Sequence, residues 1–239
     1  MNCRLCTVPI DESNRCEAHV LPRGLLKAMS PEEFGTLLIV GTDMGKKKRA
    51  PTGSYDQDIL CRKCDNKLGV YDNYALNFIN TSKLVDHPTG VGWTISNVDH
   101  KKLKLFCMSY LWRASITERK EFNGVSLGNK HEERIRQLLL AGDAGSPDDY
   151  TVTFAKFNSL DDSAAGVLFP ALTRIKGLNH YEAYLPKLYK FWVKVDSRTN
   201  ESFSRVSLGA TQDLFVHNKG DFDTSVEKSI MIRAAKNSQ

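Results

Sequence analysis

The chain has 239 residues, of which 41% are hydrophobic, 9% aromatic and 26% charged. These are the proportions of a globular protein, so the composition excludes long disorder, collagen-like repeats and an extended coiled coil. No apolar run approaches the roughly 20 residues that a membrane-spanning helix needs, and the N-terminal residues lack the apolar segment of a secretory signal. The sequence therefore predicts a soluble, cytoplasmic protein with no membrane partner, in a reducing compartment where paired cysteines more often bind metal than form disulfides.

The net charge of +5 is unevenly distributed along the chain. Residues 1–100 carry equal numbers of acidic and basic side chains, so the whole excess arises from residues 101–239. A pI near 8.8 permits a nucleic-acid partner without requiring one.

Two C-x-x-C pairs are the strongest signal in the sequence: Cys3-Arg-Leu-Cys6 and Cys61-Arg-Lys-Cys64. Two intervening residues let both sulfurs of a tight turn face one ion, and two such knuckles supply the four thiolates of a tetrahedral structural Zn²⁺ site. The alternative is a redox pair, which usually occurs alone near a βαβ pattern that this sequence does not show. Cys16 and Cys107 are predicted to be packed thiols outside the site.

Two segments lie between the knuckles. Residues 15–22 place His19 just before an apolar pair and a proline that ends a strand. Residues 45–53 (GKKKRAPTG) predict a flexible surface loop, either merely solvated or able to follow a phosphate backbone. The basic residues of this loop are Lys46, Lys47, Lys48 and Arg49.

The second knuckle continues directly into a predicted helix. Asp65 is predicted to cap this helix, which extends to about Phe78. The order of knuckle, strand bearing a histidine, long insertion, knuckle and helix is that of a treble-clef zinc module. We assign this predicted domain to residues 1–90.

The segments Ala18–Arg23 and Leu60–Gly69 together resemble the HNH (ββα-metal) nuclease family in its zinc-stabilised branch. The resemblance covers roughly residues 1–80. Residues 106–116, 125–128 and 131–140 are also similar to the downstream part of uncharacterised bacterial proteins that carry the same zinc motif, a likeness that implies no activity.

The resemblance implies metal-dependent hydrolysis of DNA phosphodiester bonds, in bacterial defence or a mobile element by analogy. It assigns His19 as the general base and Asp65 as a ligand of a catalytic Mg²⁺ or Mn²⁺, and we predict Glu17 as the second ligand. The chain departs from the family at Ala18, where a metal-binding residue usually precedes the histidine. Three interpretations follow: Glu17 or Asp72 substitutes as a ligand, the nuclease is weak or needs a partner, or the module is inactive and binds DNA or a protein.

Arg23, Arg62 and Lys63 lie beside the predicted catalytic residues in the sequence, so they are better placed than the basic loop to hold a scissile phosphate. The sequence contains no base-reading motif, which predicts contacts to the DNA backbone with low sequence specificity. A protein partner or a homo-oligomer is the alternative to DNA.

Residues 91–239 predict an α+β accessory domain. A helix over 98–117 places an apolar stripe on one side and its basic residues elsewhere, facing either phosphate or solvent. The stripe comprises Leu103, Phe106, Cys107, Tyr110, Leu111 and Ala114, and the basic residues are Lys101, Lys102, Lys104 and Arg113. A second helix is predicted over 129–141, followed by a loop over 142–149.

The last part of the chain predicts a small antiparallel sheet, because helices no longer alternate with strands. The predicted strands cover residues 150–157, 166–175, 188–195, 203–208 and 214–217, and a helix over 224–236 closes the chain. The predicted fold class is therefore α+β, with a zinc treble clef followed by a helix-plus-antiparallel-sheet domain.

Overall fold

A computed structural model describes residues 1–28, 38–39, 48–49, 55–159 and 169–229. Within these ranges the chain is a mixed α+β protein, as predicted. The helices are α1 (Arg23–Lys27), α2 (Arg62–Thr81), α3 (His100–Ile116), α4 (Gly128–Ala141) and α5 (Glu201–Ser204). The strands are β1 (Ala18–His19), β2 (Leu38–Ile39), β3 (Lys48–Arg49), β4 (Tyr55–Asp56), β5 (Val85–Asp86), β6 (Gly92–Ile95), β7 (Val152–Asn158), β8 (Ala171–Ile175), β9 (Leu178–Leu185), β10 (Tyr189–Lys194) and β11 (Leu214–Asp221). None of the described helices has the length and apolar character that crossing a bilayer requires.

The N-terminal part is built from short strands and one long helix. Strands β1 and β4 pair antiparallel, with His19 opposite Tyr55, and α2 follows β4. The N-cap of α2 is Cys61, so the prediction of Asp65 as the cap was wrong. The second knuckle itself forms the first helical turn, because the Cys64 N–H donates to the Cys61 carbonyl at 2.9 Å.

Helix α3 lies at the centre of the molecule and contacts α2, α4 and β10. Every residue from Leu103 to Ala114 is buried, so the prediction of a basic face on this helix was wrong for Lys104 and Arg113. The Lys104 Nζ donates to the Ser146 carbonyl at 2.6 Å, and burial lowers the pKa of Lys104 to about 8. Contacts on all sides of the helix leave no solvated stripe on this segment.

The large sheet has seven strands in the order β5-β6-β11-β7-β10-β9-β8. All neighbours pair antiparallel except β11 and β7, which run parallel with Val216 opposite Phe154. The prediction of a purely antiparallel sheet was therefore wrong at this pair. The cause is the segment joining β10 to β11, which crosses the start of β7, where the Leu208 N–H donates to the Val152 carbonyl.

Several elements of the C-terminal half differ from the prediction. Residues 203–208, predicted as a strand, form the end of α5 and the turns after it, whereas β9 was not predicted at all. Residues 226–229 are helical, and the rest of the predicted closing helix lies outside the described residues. The boundary predicted between residues 90 and 91 falls between β5 and β6, which pair with each other.

A continuous hydrophobic core joins the two halves. It includes Leu5 in the first knuckle, Leu25 in α1, Leu111 in α3, and Phe154 and Phe191 in the sheet, all essentially inaccessible to solvent. The N-terminal site is therefore anchored on the same core as the sheet.

Candidate metal centre

The four cysteines of the two knuckles lie together. Their sulfur atoms are all within 4.8 Å of one another, and the sulfurs of Cys6 and Cys61 are 3.8 Å apart. A tetrahedral Zn²⁺ site with Zn–S bonds of roughly 2.3 Å requires a sulfur–sulfur distance of about 3.8 Å. The cluster of Cys3, Cys6, Cys61 and Cys64 can therefore hold a metal ion such as Zn²⁺.

Backbone hydrogen bonds bring the two knuckles together. The Arg4 N–H donates to the Ile59 carbonyl at 2.8 Å, and the Arg62 N–H donates to the Asn14 carbonyl at 2.7 Å. The first knuckle closes on itself because the Thr7 N–H donates to the Cys3 carbonyl at 2.8 Å. These bonds act between segments far apart in the sequence, so the cysteine spacing within each pair could not predict them.

The thiols of the cluster are not equivalent. Burial raises the pKa of Cys3, but backbone N–H groups of Cys6, Cys61 and Leu5 outweigh it and lower that pKa to about 7. Burial raises the pKa of both Cys61 and Cys64. Thiolates are the metal-binding form, so an ion entering the cluster would displace protons from these two residues.

The other two cysteines lie outside the cluster. The Cys16 thiol donates to the Leu60 carbonyl at 3.4 Å, and burial together with the charge of Asp65 raises its pKa to about 11. Cys107 is buried in α3, where burial raises its pKa well above the usual value. All six cysteines are free thiols.

His19 ends β1 and is half-buried. Its Nδ1 lies 3.2 Å from the Glu17 carbonyl, and its ring centroid lies 5.9 Å from that of Tyr55 on β4. The preceding residue, Ala18, is fully buried. A proton on Nδ1 shared with a backbone carbonyl leaves Nε2 as the basic nitrogen of the ring.

Two carboxylates of α2 lie near His19. The Asp65 side chain is half-buried, and it interacts electrostatically with Arg113, Asp72 and His19. Burial raises the pKa of Asp65, while the charge of Arg113 opposes that shift. Burial also raises the pKa of Asp72, against the opposing charge and hydrogen bonds of Arg113.

Arg113 holds this region together, although the sequence pattern assigned it to a polar face. Its Nη1 and Nη2 donate to the two carboxylate oxygens of Asp72 at 3.0 and 2.7 Å, and Nη1 also donates to the His19 carbonyl at 2.7 Å. The Arg113 side chain is only 1% exposed. One signal for this role existed in the sequence: a single cation inside the apolar stretch Tyr110–Ala114.

Within the described residues, the predicted ligands of a catalytic metal are not part of a larger cluster of potential ligands. Glu17 is exposed, and neither Glu17 nor Asp65 belongs to a group of three or more potential ligands. Throughout the described ranges, the four cysteines form the one group of that kind.

Of the predicted DNA-contacting residues, Arg23, Arg62 and Lys63 are exposed at the starts of α1 and α2. The Arg62 guanidinium donates to the Arg15 carbonyl at 3.1 Å. Lys46 and Lys47 lie outside the described residues. Lys48 and Arg49 form β3, which pairs with β2, so the prediction of a loop was wrong at these two positions.

A cleft of about 870 Å³ opens between the first knuckle, the end of β4 with the segment after it, the end of α3, and α4. The charged residues of its lining are Asp56, Asp58, Glu118, Glu132 and Glu133, against Arg4 and Arg136. This excess of carboxylates makes the cleft unfavourable for a phosphate backbone. The sequence did not predict it, because its walls come from four segments that are far apart in the chain.

The fold and the site define a mixed α+β protein with a four-cysteine centre that can bind metal. Comparisons with protein-family models, with curated proteins and with solved structures found no significant match to this chain.

Proposed function

We propose that the chain is a zinc-stabilised, HNH-type endonuclease that hydrolyses DNA phosphodiester bonds in the cytoplasm, with His19 as general base. The observation that carries the proposal is the position of His19. It ends β1, which pairs antiparallel with β4 just before α2, and it interacts electrostatically with Asp65 near the start of that helix. This strand pair, the helix that follows it and the nearby carboxylate support a ββα-metal module.

The proposed zinc has a structural role. Four thiolates complete a tetrahedral coordination sphere, which leaves no open position for water or substrate. The cluster ties the N-terminal knuckle to the first turn of α2, and that turn carries Asp65. Zinc binding would therefore fix the carboxylate relative to the strand that bears the histidine.

His19 would act through Nε2. With Nδ1 held by the Glu17 carbonyl, Nε2 could accept a proton from a water molecule that attacks phosphorus. The carboxylate of Asp65 would favour the imidazolium that results. A bound Mg²⁺ or Mn²⁺ would stabilise negative charge on the phosphate and the leaving oxygen.

Among the described residues, no group of three or more carboxylate or histidine ligands lies around His19, and Mg²⁺ does not need such a group. Mg²⁺ keeps several water ligands and is usually held by one or two carboxylates together with substrate phosphates. Asp65 is the available carboxylate, with Glu17 as the second predicted ligand. Arg23, Arg62 and Lys63 would contact the DNA backbone, which suits low sequence specificity.

The test is a cleavage assay on plasmid DNA with Mg²⁺ or Mn²⁺, comparing wild type, His19→Ala and Asp65→Asn. General-base catalysis contributes roughly 10²–10⁴-fold, so H19A should lose at least about 100-fold in rate. His87→Ala, in a distant turn, is the matched control and should cut like the wild type. Absence of metal-dependent cutting in the wild type, or equal rates for wild type and H19A, would contradict the nuclease proposal.

The second candidate is an inactive zinc module that binds DNA or a protein partner. The Arg113–Asp72 ion pair favours it, because a buried guanidinium already supplies positive charge beside Asp65 where a divalent cation would otherwise be needed. DNA binding without cleavage in any metal would support this candidate. A protein that neither binds nor cleaves DNA would favour a protein partner or a homo-oligomer instead.

A further inference from the structure

We propose that Arg136 is a positioning residue for the metal centre, acting on Cys3 through the peptide group that joins Leu5 to Cys6. This inference rests on the zinc-binding part of the proposed function and does not depend on nuclease activity. Arg136 lies in α4, far along the chain from the knuckle, and no cysteine motif points to it.

The Arg136 guanidinium contacts the backbone of the first knuckle directly. The Arg136 Nη1 donates to the Leu5 carbonyl at 2.6 Å. The N–H of the same peptide group belongs to Cys6 and is among the backbone N–H groups that favour the Cys3 thiolate and lower the pKa of Cys3. Hydrogen bonds in series polarise one another, so a guanidinium on the carbonyl makes the N–H a stronger donor to the thiolate.

Arg136 is held in place for this contact. Its Nε and Nη2 each lie 2.7 Å from a different carboxylate oxygen of Glu133, and Gln137 donates to that carboxylate at 2.9 Å. The side-chain hydrogen bonds from Arg136 and Gln137 lower the pKa of Glu133 to about 2. Glu133 therefore stays ionised and keeps the guanidinium oriented, with 20% of the Arg136 side chain exposed.

Helix α4 is fixed to α3 near the same point. The Trp112 Nε1 donates to the Glu132 carbonyl at 3.1 Å, and the Ser115 hydroxyl donates to a Glu132 carboxylate oxygen at 2.6 Å. These bonds hold α4, the helix that carries Arg136, against α3. Arg136 therefore reaches the Leu5 carbonyl from a helix that is fixed in the fold.

The positive charge of Arg136 should also stabilise the metal centre. Four thiolates around Zn²⁺ leave a net charge of about −2. Arg136 interacts electrostatically with Cys6, so its guanidinium offsets part of that negative charge. Residues that support metal ligands from behind typically change metal affinity by about 10–100-fold when they are mutated.

The test measures Zn²⁺ affinity by competition with a chromophoric chelator, and the absorption of the Co²⁺-substituted protein, for wild type, Arg136→Gln and Arg134→Gln. Arg134 is the matched control, because it lies on the same helix but is 56% exposed and pairs with Asp149. R136Q should bind Zn²⁺ at least about tenfold more weakly. Its thiolate-to-cobalt charge-transfer band should move to longer wavelength, because weaker hydrogen bonds raise the energy of the sulfur electrons. R134Q should match the wild type in both measurements.

Arg136→Lys separates this role from general support of the fold. Lysine keeps the charge but cannot reach Glu133 and Leu5 together, so its zinc affinity should fall between those of wild type and R136Q. R136Q and R134Q with equal zinc affinity and equal cobalt spectra would overturn the proposal while leaving the zinc centre intact. A wild-type protein that binds no metal would instead overturn the zinc part of the proposed function, and this inference with it.

Discussion

The two ends of the molecule are stabilised by different means. At the knuckle end, β1 and β4 have two residues each, and single backbone bonds such as Arg4 to Ile59 join the segments. In the sheet, β9 and β11 have eight residues each, and aromatic rings pack across the strands. Phe191 lies 5.9 Å from Phe154 and 6.4 Å from Phe106, measured between ring centroids. Both ends share the hydrophobic core, but the short strands of the knuckle end lead us to infer that this end also depends on four sulfur ligands around a metal ion.

Helix α3 joins these two ends. Its Phe106 packs against the sheet, and its Arg113 holds the strand that bears His19. Substitutions at the knuckle end, in the sheet and in α3 should therefore distinguish effects that stay at one end from effects on the whole molecule.

The largest effect should follow from removing one sulfur ligand. Cys61→Ser should abolish tight zinc binding and increase hydrogen exchange in residues 1–28 and 55–66 far more than in β7, β9 and β10. The reason is that metal binding contributes about 10–16 kcal/mol to folding in small zinc modules, although less is needed where a shared core remains. Metal content and hydrogen-exchange mass spectrometry measure the two outcomes.

Cys16→Ser is the control for that experiment, because its sulfur lies outside the cluster. It should keep its zinc and its exchange pattern. Uniform loosening of the sheet and the knuckles in C61S would show that the two ends are not stabilised separately.

The reciprocal change is Phe191→Ala at the centre of the sheet. Phe191 is almost completely buried between β7 and α3, so its truncation should lower the free energy of unfolding by about 4 kcal/mol. Chemical denaturation measures this loss. The remaining folded protein should still bind one zinc ion per chain, and loss of zinc in F191A under native conditions would contradict the comparison.

The contact between α3 and the segment around His19 should be weakened by Arg113→Met. Removing the cation leaves Asp72 largely buried without its partner, which should cost about 3 kcal/mol in unfolding free energy. The double variant Arg113→Met with Asp72→Asn should recover part of that loss, because no unpaired charge remains. Denaturation curves of the single and double variants form the cycle, and strictly additive losses would exclude coupling between the two side chains.

The smallest effect concerns pH and His180 in β9. Burial lowers the pKa of His180, whereas the unfolded residue titrates near 6.5. The stability that His180 contributes is therefore complete above about pH 6.5 and is lost as the pH falls toward the lower folded pKa, with a slope of at most about 1.4 kcal/mol per pH unit.

His180→Gln should flatten the decline in unfolding free energy between pH 6.5 and 5.5, measured with zinc in excess. Burial also lowers the pKa of His131 and His217, so part of the decline should remain. Identical pH profiles for H180Q and the wild type would contradict the role given to His180.

Patterns among neighbouring residues predicted the elements that depend mainly on neighbouring residues. The two knuckles, α3 and α4 follow from cysteine spacing and helical periodicity, and the structure has all of them. The strand β9 was missed because Asn179, His180 and Glu182 interrupt its apolar character, although His180 is buried.

Tertiary contacts explain what the sequence could not predict. Arg113 is buried because Asp72 and the His19 carbonyl supply its hydrogen bonds, and neither partner is near it in the sequence. The parallel pairing of β11 with β7 likewise depends on where the preceding segment crosses the sheet. Periodicity reports which side chains are apolar, but it does not report which distant acceptor can satisfy a buried cation.

The central claim is that four sulfurs hold one Zn²⁺ and so fix the strand and helix around His19. X-ray absorption at the zinc edge of the purified protein tests it most directly. We expect a first shell of four sulfur atoms at about 2.3 Å, with no nitrogen or oxygen ligand. A shell with fewer than four sulfurs, a histidine nitrogen in the shell, or protein purified without zinc would contradict the account.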